Sequence, residues 1–160
     1  MQKIRIIAMG KLTEAAFRDA AAEYARRAGR FFDLSVDELR PEQTPQNPSP
    51  GEIAKALDRE ADRILAALPP RAVVCALCVE GKPMSSEAFA AWIDRQASGG
   101  AGEVVFLVGS SHGMAERVKQ RASVRLSVSE MTFPHELFRV MLLEQIYRAG
   151  EILAGGKYHK

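Results

Sequence analysis

Several groups of residues in this chain have types and spacings that could do chemistry. Cys75 and Cys78 form a CxxC, the spacing of a redox pair or of half a zinc site. Gly109-Ser110-Ser111-His112-Gly113 follows an apolar run, where a nucleotide-binding glycine loop would lie. It is GxxxG, though, not GxGxxG, and a tight strand-to-helix turn would explain it equally well. It also lacks the Gly-Lys-Ser/Thr of a P-loop, so Mg-nucleotide hydrolysis has no support. The stretch from Ser127 through Val128, Ser129, Glu130, Met131, Thr132 and Phe133 to Pro134-His135 is dense in small hydroxyl residues and ends on a proline at a helix start. Its backbone donors and acceptors suit an adenine edge and a ribose; the plain alternative is a well-capped helix. The chain closes on Lys157-Tyr158-His159-Lys160. Read as a site, that block offers lysine for phosphate, tyrosine for stacking and histidine for a proton. Read plainly, it is a frayed terminus.

The elements that must position these residues follow from periodicity. Residues 3–9 alternate and stop at Gly10, a first strand. Thr13-Glu14 can cap the helix that follows, with Phe17, Ala21, Tyr24 and Ala28 on one face and Arg18, Arg26, Arg27 and then Arg30 on the other. Residues 32–39 read as a second strand. Four prolines between Pro41 and Gly51 exclude regular structure there and predict a surface loop. Ile53, Leu57, Ile64 and Leu68 then mark a helix stopped by Pro69-Pro70. Residues 72–79 are continuously apolar, as expected of a strand covered on both faces. In such a strand the two cysteines are expected as reduced, buried core thiols, because no second CxxC and no nearby histidine completes a metal site. Gly81-Lys82-Pro83 reads as a turn. Ser85 or Ser86 caps the next helix, and residues 103–108 form a strand. A short helix spans 114–121, a small strand 124–128, and a long helix runs from near Pro134 to about Leu153. Alternating strands and helices predict an α/β fold with a parallel sheet, in which ligands bind beyond the carboxyl ends of the strands. The three informative ends are those at Leu77, at Gly109 and at the 128–133 loop.

With 160 residues, 47% hydrophobic and 26% charged, the chain is one domain, 1–160. A formal net charge of +2 excludes a histone-like protein but leaves room for a local basic patch. No apolar stretch of membrane-spanning length occurs, and the first residues lack the apolar core of a signal peptide. The expectation is a cytoplasmic protein with no membrane, DNA or metal partner.

The last helix has apolar residues nearly all round it, namely Leu137, Val140, Met141, Leu142, Leu143, Ile146 and Ala149, which predicts burial in a core or an interface. His135, Arg139, Glu144, Gln145, Tyr147, Arg148 and Glu151 are interspersed among them, and buried charges must be paired. A homodimer in which this helix packs on its twin is the simplest account, with Glu144 and Arg148 as a possible pair between subunits.

These residues resemble a known family. The segment from Leu126 through Ser129-Glu130-Met131-Thr132-Phe133-Pro134-His135, then Arg139-Val140, Leu143-Glu144-Gln145-Ile146-Tyr147-Arg148-Ala149 and the closing Tyr158-His159-Lys160, is similar to the ribosomal large-subunit pseudouridine N3-methyltransferases, small members of the SPOUT class. The likeness extends to Ile7-Ala8-Met9-Gly10-Lys11-Leu12, to Gly81-Lys82 and to Ser85-Ser86-Glu87, so it spans essentially the whole chain. It implies an α/β parallel-sheet fold with a C-terminal trefoil knot, over about 72–160, that binds S-adenosylmethionine. General topology rules would not suggest a knot. It further implies an obligate homodimer that methylates N3 of a pseudouridine in helix 69 of 23S rRNA on the assembled ribosome. Carried over by position, the cofactor contacts are Leu77, Gly109, Val128, Ser129, Glu130, Met131, Thr132 and Phe133. His159, His135 and Arg139 are the catalytic candidates. Arg148, Tyr158 and Lys160 are the substrate-binding candidates. Where the family usually has Gly-Gly, this chain has Gly109-Ser110, and a positive φ there would cost serine on the order of 1 kcal/mol. That departure is what supports an alternative, a ribosome-binding dimer without catalysis. A SPOUT enzyme for another RNA is a further alternative, disfavoured by the lack of an appended RNA-binding domain.

Overall fold

Every strand in the computed structural model, which describes residues 1–159, is followed by a helix. The order is β1 (Lys3–Met9), α1 (Ala15–Ala28), β2 (Asp33–Leu39), α2 (Pro50–Ala67), β3 (Val73–Pro83), α3 (Ser86–Ser98), β4 (Val104–Val108), α4 (Glu116–Arg121), β5 (Val124–Ser127) and α5 (His135–Leu153). The strands make one five-stranded sheet in the order β2-β1-β4-β3-β5, with every pairing parallel. All five carboxyl ends therefore lie along one edge.

Alternate residues of a strand point to opposite faces, and here both faces are covered. On one, Ile4, Ile6, Phe106 and Val108 pack under α1, α3 and α5; on the other, Ile7, Val74, Val105 and Leu107 pack under α2 and α4. Phe106 takes the rings of Phe89 and Trp92 at centroid distances of 5.6 and 6.0 Å, pairs worth about 1 kcal/mol each beyond their buried area. Among the described residues no helix is long and apolar enough to cross a membrane.

Four local expectations change. The helix-start proline rule applies earlier than the Pro-rich segment suggested: Ser49 caps α2 by accepting from Glu52 N at 3.2 Å, so α2 begins at Pro50 inside that segment. Gly81-Lys82-Pro83 is not a turn but the end of β3. Leu77 and Lys82 both pair with Leu126, and residues 78–81 bulge out between them. Only glycine allows this, because a Cβ at Gly81 would lie 2.5 Å from the Leu126 backbone. Helix α1 is not capped locally by Thr13-Glu14. The Glu136 carboxylate from the start of α5 accepts from Thr13 N, from Thr13 Oγ1 at 2.9 Å and from Glu14 N at 3.3 Å. Burial alone would push that carboxyl up, but these donors together hold it below the ordinary carboxylate range.

The fourth change concerns α5. Its enclosure is met within one chain, because it packs against both α1 and α3 and buries Val140, Leu142, Leu143, Ile146, Tyr147 and Ala149 there. Burial of this helix therefore does not require a twin. Glu144 and Arg148 form an ion pair within this one helix, at 2.7 Å.

Candidate functional site

The carboxyl ends of β3, β4 and β5 converge on one cavity of about 430 Å³, within the range of small-molecule and cofactor sites. Leu77 lines it where β3 breaks into its bulge, Gly109 enters directly after β4, and Val128, Ser129, Met131, Thr132 and Phe133 form the wall beyond β5. These are the three strand ends singled out in the sequence. Glu130 is the exception: it belongs to the same loop but is exposed and does not line the cavity.

A Cβ on Gly109 would lie 2.5 Å from the carbonyl oxygen of Gly113 and 2.8 Å from Met114 Cγ, so the 109–113 loop closes tightly only on glycine. Gly113 itself has φ +90° and donates its N–H to Ser110 O at 2.9 Å. The 128–133 loop is held by its own hydroxyls. Ser127 Oγ donates to Ser129 O at 3.0 Å, and Met131 N donates to Ser129 Oγ at 3.0 Å. Two apolar side chains, Val79 (76% exposed) and Met131 (74%), stand at the rim, wet in this state and available to cover a ligand.

Ser110 does not have the strained backbone feared from the sequence. Among the described residues only glycines have positive φ. Instead its hydroxyl donates to Glu60 Oε1 at 2.9 Å, so the replacement of glycine gives the loop an extra tether to α2.

Sequence reasoning missed several lining residues. Cys78 lies in the bulge of β3, half-buried at the cavity wall rather than in the core, while Cys75 is buried and its thiol is pushed up to about 12 by desolvation. Desolvation, with Glu80 beside it, also pushes the Cys78 thiol up, so neither sulfur is an activated thiolate. Glu80 and Lys119 form an ion pair on the same wall, and that lysine holds the Glu80 carboxyl below its usual range. The signal for Cys78 and Glu80 was present, since they follow Leu77 directly. Lys119 arrives from α4 and left no local trace. Among the described residues no group of three or more His, Cys, Asp or Glu could hold a metal ion.

The catalytic candidates separate. His135, at the first turn of α5, lines the cavity. Arg139 does not: it is 3% exposed, pairs with Glu38 near the end of β2 and donates to Gly10 O, just past β1, at 2.7 Å, with its Nε unpartnered. His159 lies elsewhere again, its Nε2 2.8 Å from Glu87 Oε1 and its Nδ1 3.2 Å from Arg148. Tyr158 donates to Glu144 Oε1 at 3.0 Å, packs its ring against Tyr147 with centroids 4.7 Å apart and planes tilted by 54°, and carries the Arg148 guanidinium over its ring at 4.6 Å. Burial and the Glu144 carboxylate push its phenol up to about 12. The end of the chain is thus folded onto α5 and α3, not frayed, and it gathers Arg148, Tyr158 and His159 in one cluster apart from the cavity. Lys160 lies outside the described residues.

An all-parallel sheet, covered on both faces, with strand-end loops closing on a cofactor-sized cavity, is an α/β fold that binds a small ligand at its strand ends. A family model described as predicted SPOUT methyltransferase matches residues 2–159, and the chain belongs to that family. Its fold is also similar to a solved structure described as a probable methyltransferase from Bordetella pertussis Tohama I, at a TM-score of 0.59 and 16% identity, covering 93% of this chain and 95% of that one.

Proposed function

We propose that this chain is an S-adenosylmethionine-dependent methyltransferase acting on N3 of a pseudouridine in helix 69 of 23S rRNA, on the assembled ribosome and as a homodimer. The observation that carries the reading is the convergence of Leu77, Gly109 and the 128–133 loop on one cavity of cofactor size. Family membership supports the methyltransferase class, and SPOUT methyltransferases generally use S-adenosylmethionine. The finer substrate, the dimer, a trefoil knot over about 72–160 and a cytoplasmic location rest on the resemblance of the 126–149 segment and of the closing Tyr158-His159-Lys160 to the pseudouridine N3-methyltransferases.

The residues present fit the cofactor. The cavity is of cofactor size, and at Gly109, where no Cβ fits against the Gly113 backbone, the strand end enters it without a side chain. Leu77, Gly109, Val128, Ser129, Thr132 and Phe133 would hold it, and the Val79 and Met131 side chains would cover it. When bound, it supplies an electrophilic methyl on a sulfonium. What the chain must add is in-line positioning of an acceptor nitrogen and the exclusion of water. The N3 proton is only weakly acidic, so a base or an anion-stabilising group helps. His135, the histidine candidate that lines the cavity, fills that role. Arg139, tied to Glu38 and Gly10, positions the start of α5 that carries His135. Arg148, Tyr158 and His159 meet the RNA.

The experiment is tritiated methyl transfer onto ribosomes lacking the modification, compared with free rRNA and with separated subunits. Transfer confined to assembled ribosomes is expected. Transfer to free rRNA alone, or to none of the three despite calorimetric cofactor binding, rejects the reading. The non-catalytic alternative rested on Ser110, and the ordinary backbone at that residue removes its support.

A further inference from the structure

Beside the cofactor cavity lies a second one, of about 340 Å³, and Ser110, Ser111, His112 and His135 line both. Its far wall is Pro41 and Thr44, from the proline-rich segment to which no role has been given so far; ring-locked φ angles make such a wall stiff before any ligand arrives. Lys11 stands at its rim, exposed.

Its most unusual lining residue is Glu60. The side chain is 3% exposed, accepts from Ser110 Oγ at 2.9 Å and from Glu42 N at 3.0 Å, and takes part in no salt bridge among the described residues. A carboxyl so deeply buried is nearly always paired with a cation. Each carboxylate oxygen can accept twice, so both oxygens keep a free acceptor direction. An acceptor of this kind beside an open cavity suits a ligand that presents an N–H.

Resting on the methyltransferase reading above, we propose that this second cavity receives the acceptor base, with Glu60 accepting the N1–H of pseudouridine while N3 faces the cofactor cavity and Lys11 meets a flanking phosphate. The chemistry selects this base over uridine. Pseudouridine is joined to its ribose through carbon, so when N3 is the atom to be methylated a second ring N–H, at N1, is still free. Uridine has its sugar on that nitrogen and nothing to offer Glu60. An unmatched buried acceptor is penalised far more than a matched one is rewarded. Glu60 is therefore the specificity-determining residue, and Ser110 is the positioning residue that aims it.

The test compares methyl transfer onto ribosomes carrying pseudouridine with transfer onto otherwise identical ribosomes carrying uridine. Three variants, Glu60→Leu, Glu60→Gln and Lys11→Ala, are each checked for cofactor affinity by calorimetry. The wild type is expected to prefer pseudouridine by at least about tenfold in kcat/KM, which corresponds to the lower part of the cost of leaving a buried acceptor unmatched. Glu60→Leu should bring that preference to within about threefold with cofactor Kd unchanged, whereas Glu60→Gln, which keeps a carbonyl acceptor, should retain most of it. Lys11→Ala, on the exposed rim, should raise the acceptor KM about fivefold without touching cofactor Kd, as loss of one phosphate contact does. A preference undiminished in Glu60→Leu overturns the proposal, and so does an unchanged KM in Lys11→Ala, which is decisive even if Glu60→Leu fails to fold. No transfer by the wild type to pseudouridine ribosomes would instead sink the underlying reading.

Discussion

The strand-end cavity and the folded chain end are built in opposite ways. The cavity's loops are shaped by backbone, through the close approach at Gly109 and the Ser127 and Ser129 hydroxyls that bond the main chain, with one ion pair, Glu80–Lys119, on its wall. The chain end is made of side chains: Glu144 alone accepts from Tyr158, from Gln145 and twice from Arg148, and Glu87 and Arg148 hold His159 between them. A backbone site is rigid and indifferent to side-chain identity except where a side chain would intrude. A side-chain cluster depends on every member, and its members can exchange their present partners for new ones.

The sharpest way to break this contrast is Gly109→Val. The new side chain would have to occupy space held by the Gly113 backbone, and cofactor affinity should fall by more than about 100-fold, nearly 3 kcal/mol, in calorimetry. Deleting the last three residues should do the reverse: methyl transfer is abolished while cofactor Kd stays within about twofold, under 0.5 kcal/mol. If the truncated protein methylates ribosomes at the normal rate, the chain end has no part in the reaction. Arg139→Met should cost about 3 kcal/mol through its lost Glu38 and Gly10 partners, lowering Tm by several degrees. Lost transfer at undiminished Tm would show that Arg139 acts on substrate after all.

A smaller effect tests the chain end alone. Tyr158→Phe removes one hydrogen bond to Glu144 and should cost about 1 kcal/mol at neutral pH. The phenol is pushed up to about 12 in the fold, against 10.0 for the free group, so the stability tied to its neutral form is complete below pH 10. It is lost as pH rises from 10 through about 12. Denaturant midpoints of the wild type should therefore fall faster over that interval than those of Tyr158→Phe; parallel curves would show that the buried phenol is not held neutral. Ser110→Gly should have the smallest effect, on the order of 1 kcal/mol or less in stability, because it loses one tether and no strained backbone.

What could be read in the sequence divides along the same line. Strands such as residues 104–108 are continuously apolar and helices such as α2 carry a clear stripe, so the elements and the three strand ends were legible, and with them the cavity apart from Glu130. What escaped notice depends on residues far apart in the chain. The Glu136 cap on α1, the Glu60–Ser110 tether and Lys119 at the cavity wall join elements that no periodicity links. The extension of β3 through Gly81 was hidden because Gly-Lys-Pro is the usual signature of a turn, and only the close Leu126 backbone shows why glycine is there. Ser110 was misread for the opposite reason: a familiar glycine pattern suggested strain that the backbone does not have.

The strand order has a consequence for how the protein is made. β3 lies between β4 and β5, and both neighbours come later in the chain. While the polypeptide is being synthesised, the Val73–Leu77 stretch emerges with neither edge paired, and it is the kind of apolar, β-branched run that recruits other chains. Until residues 104–127 follow it, that run stays open to association with other nascent chains. The interval between those two segments is when this protein is most exposed to aggregation and when a holding chaperone would matter most.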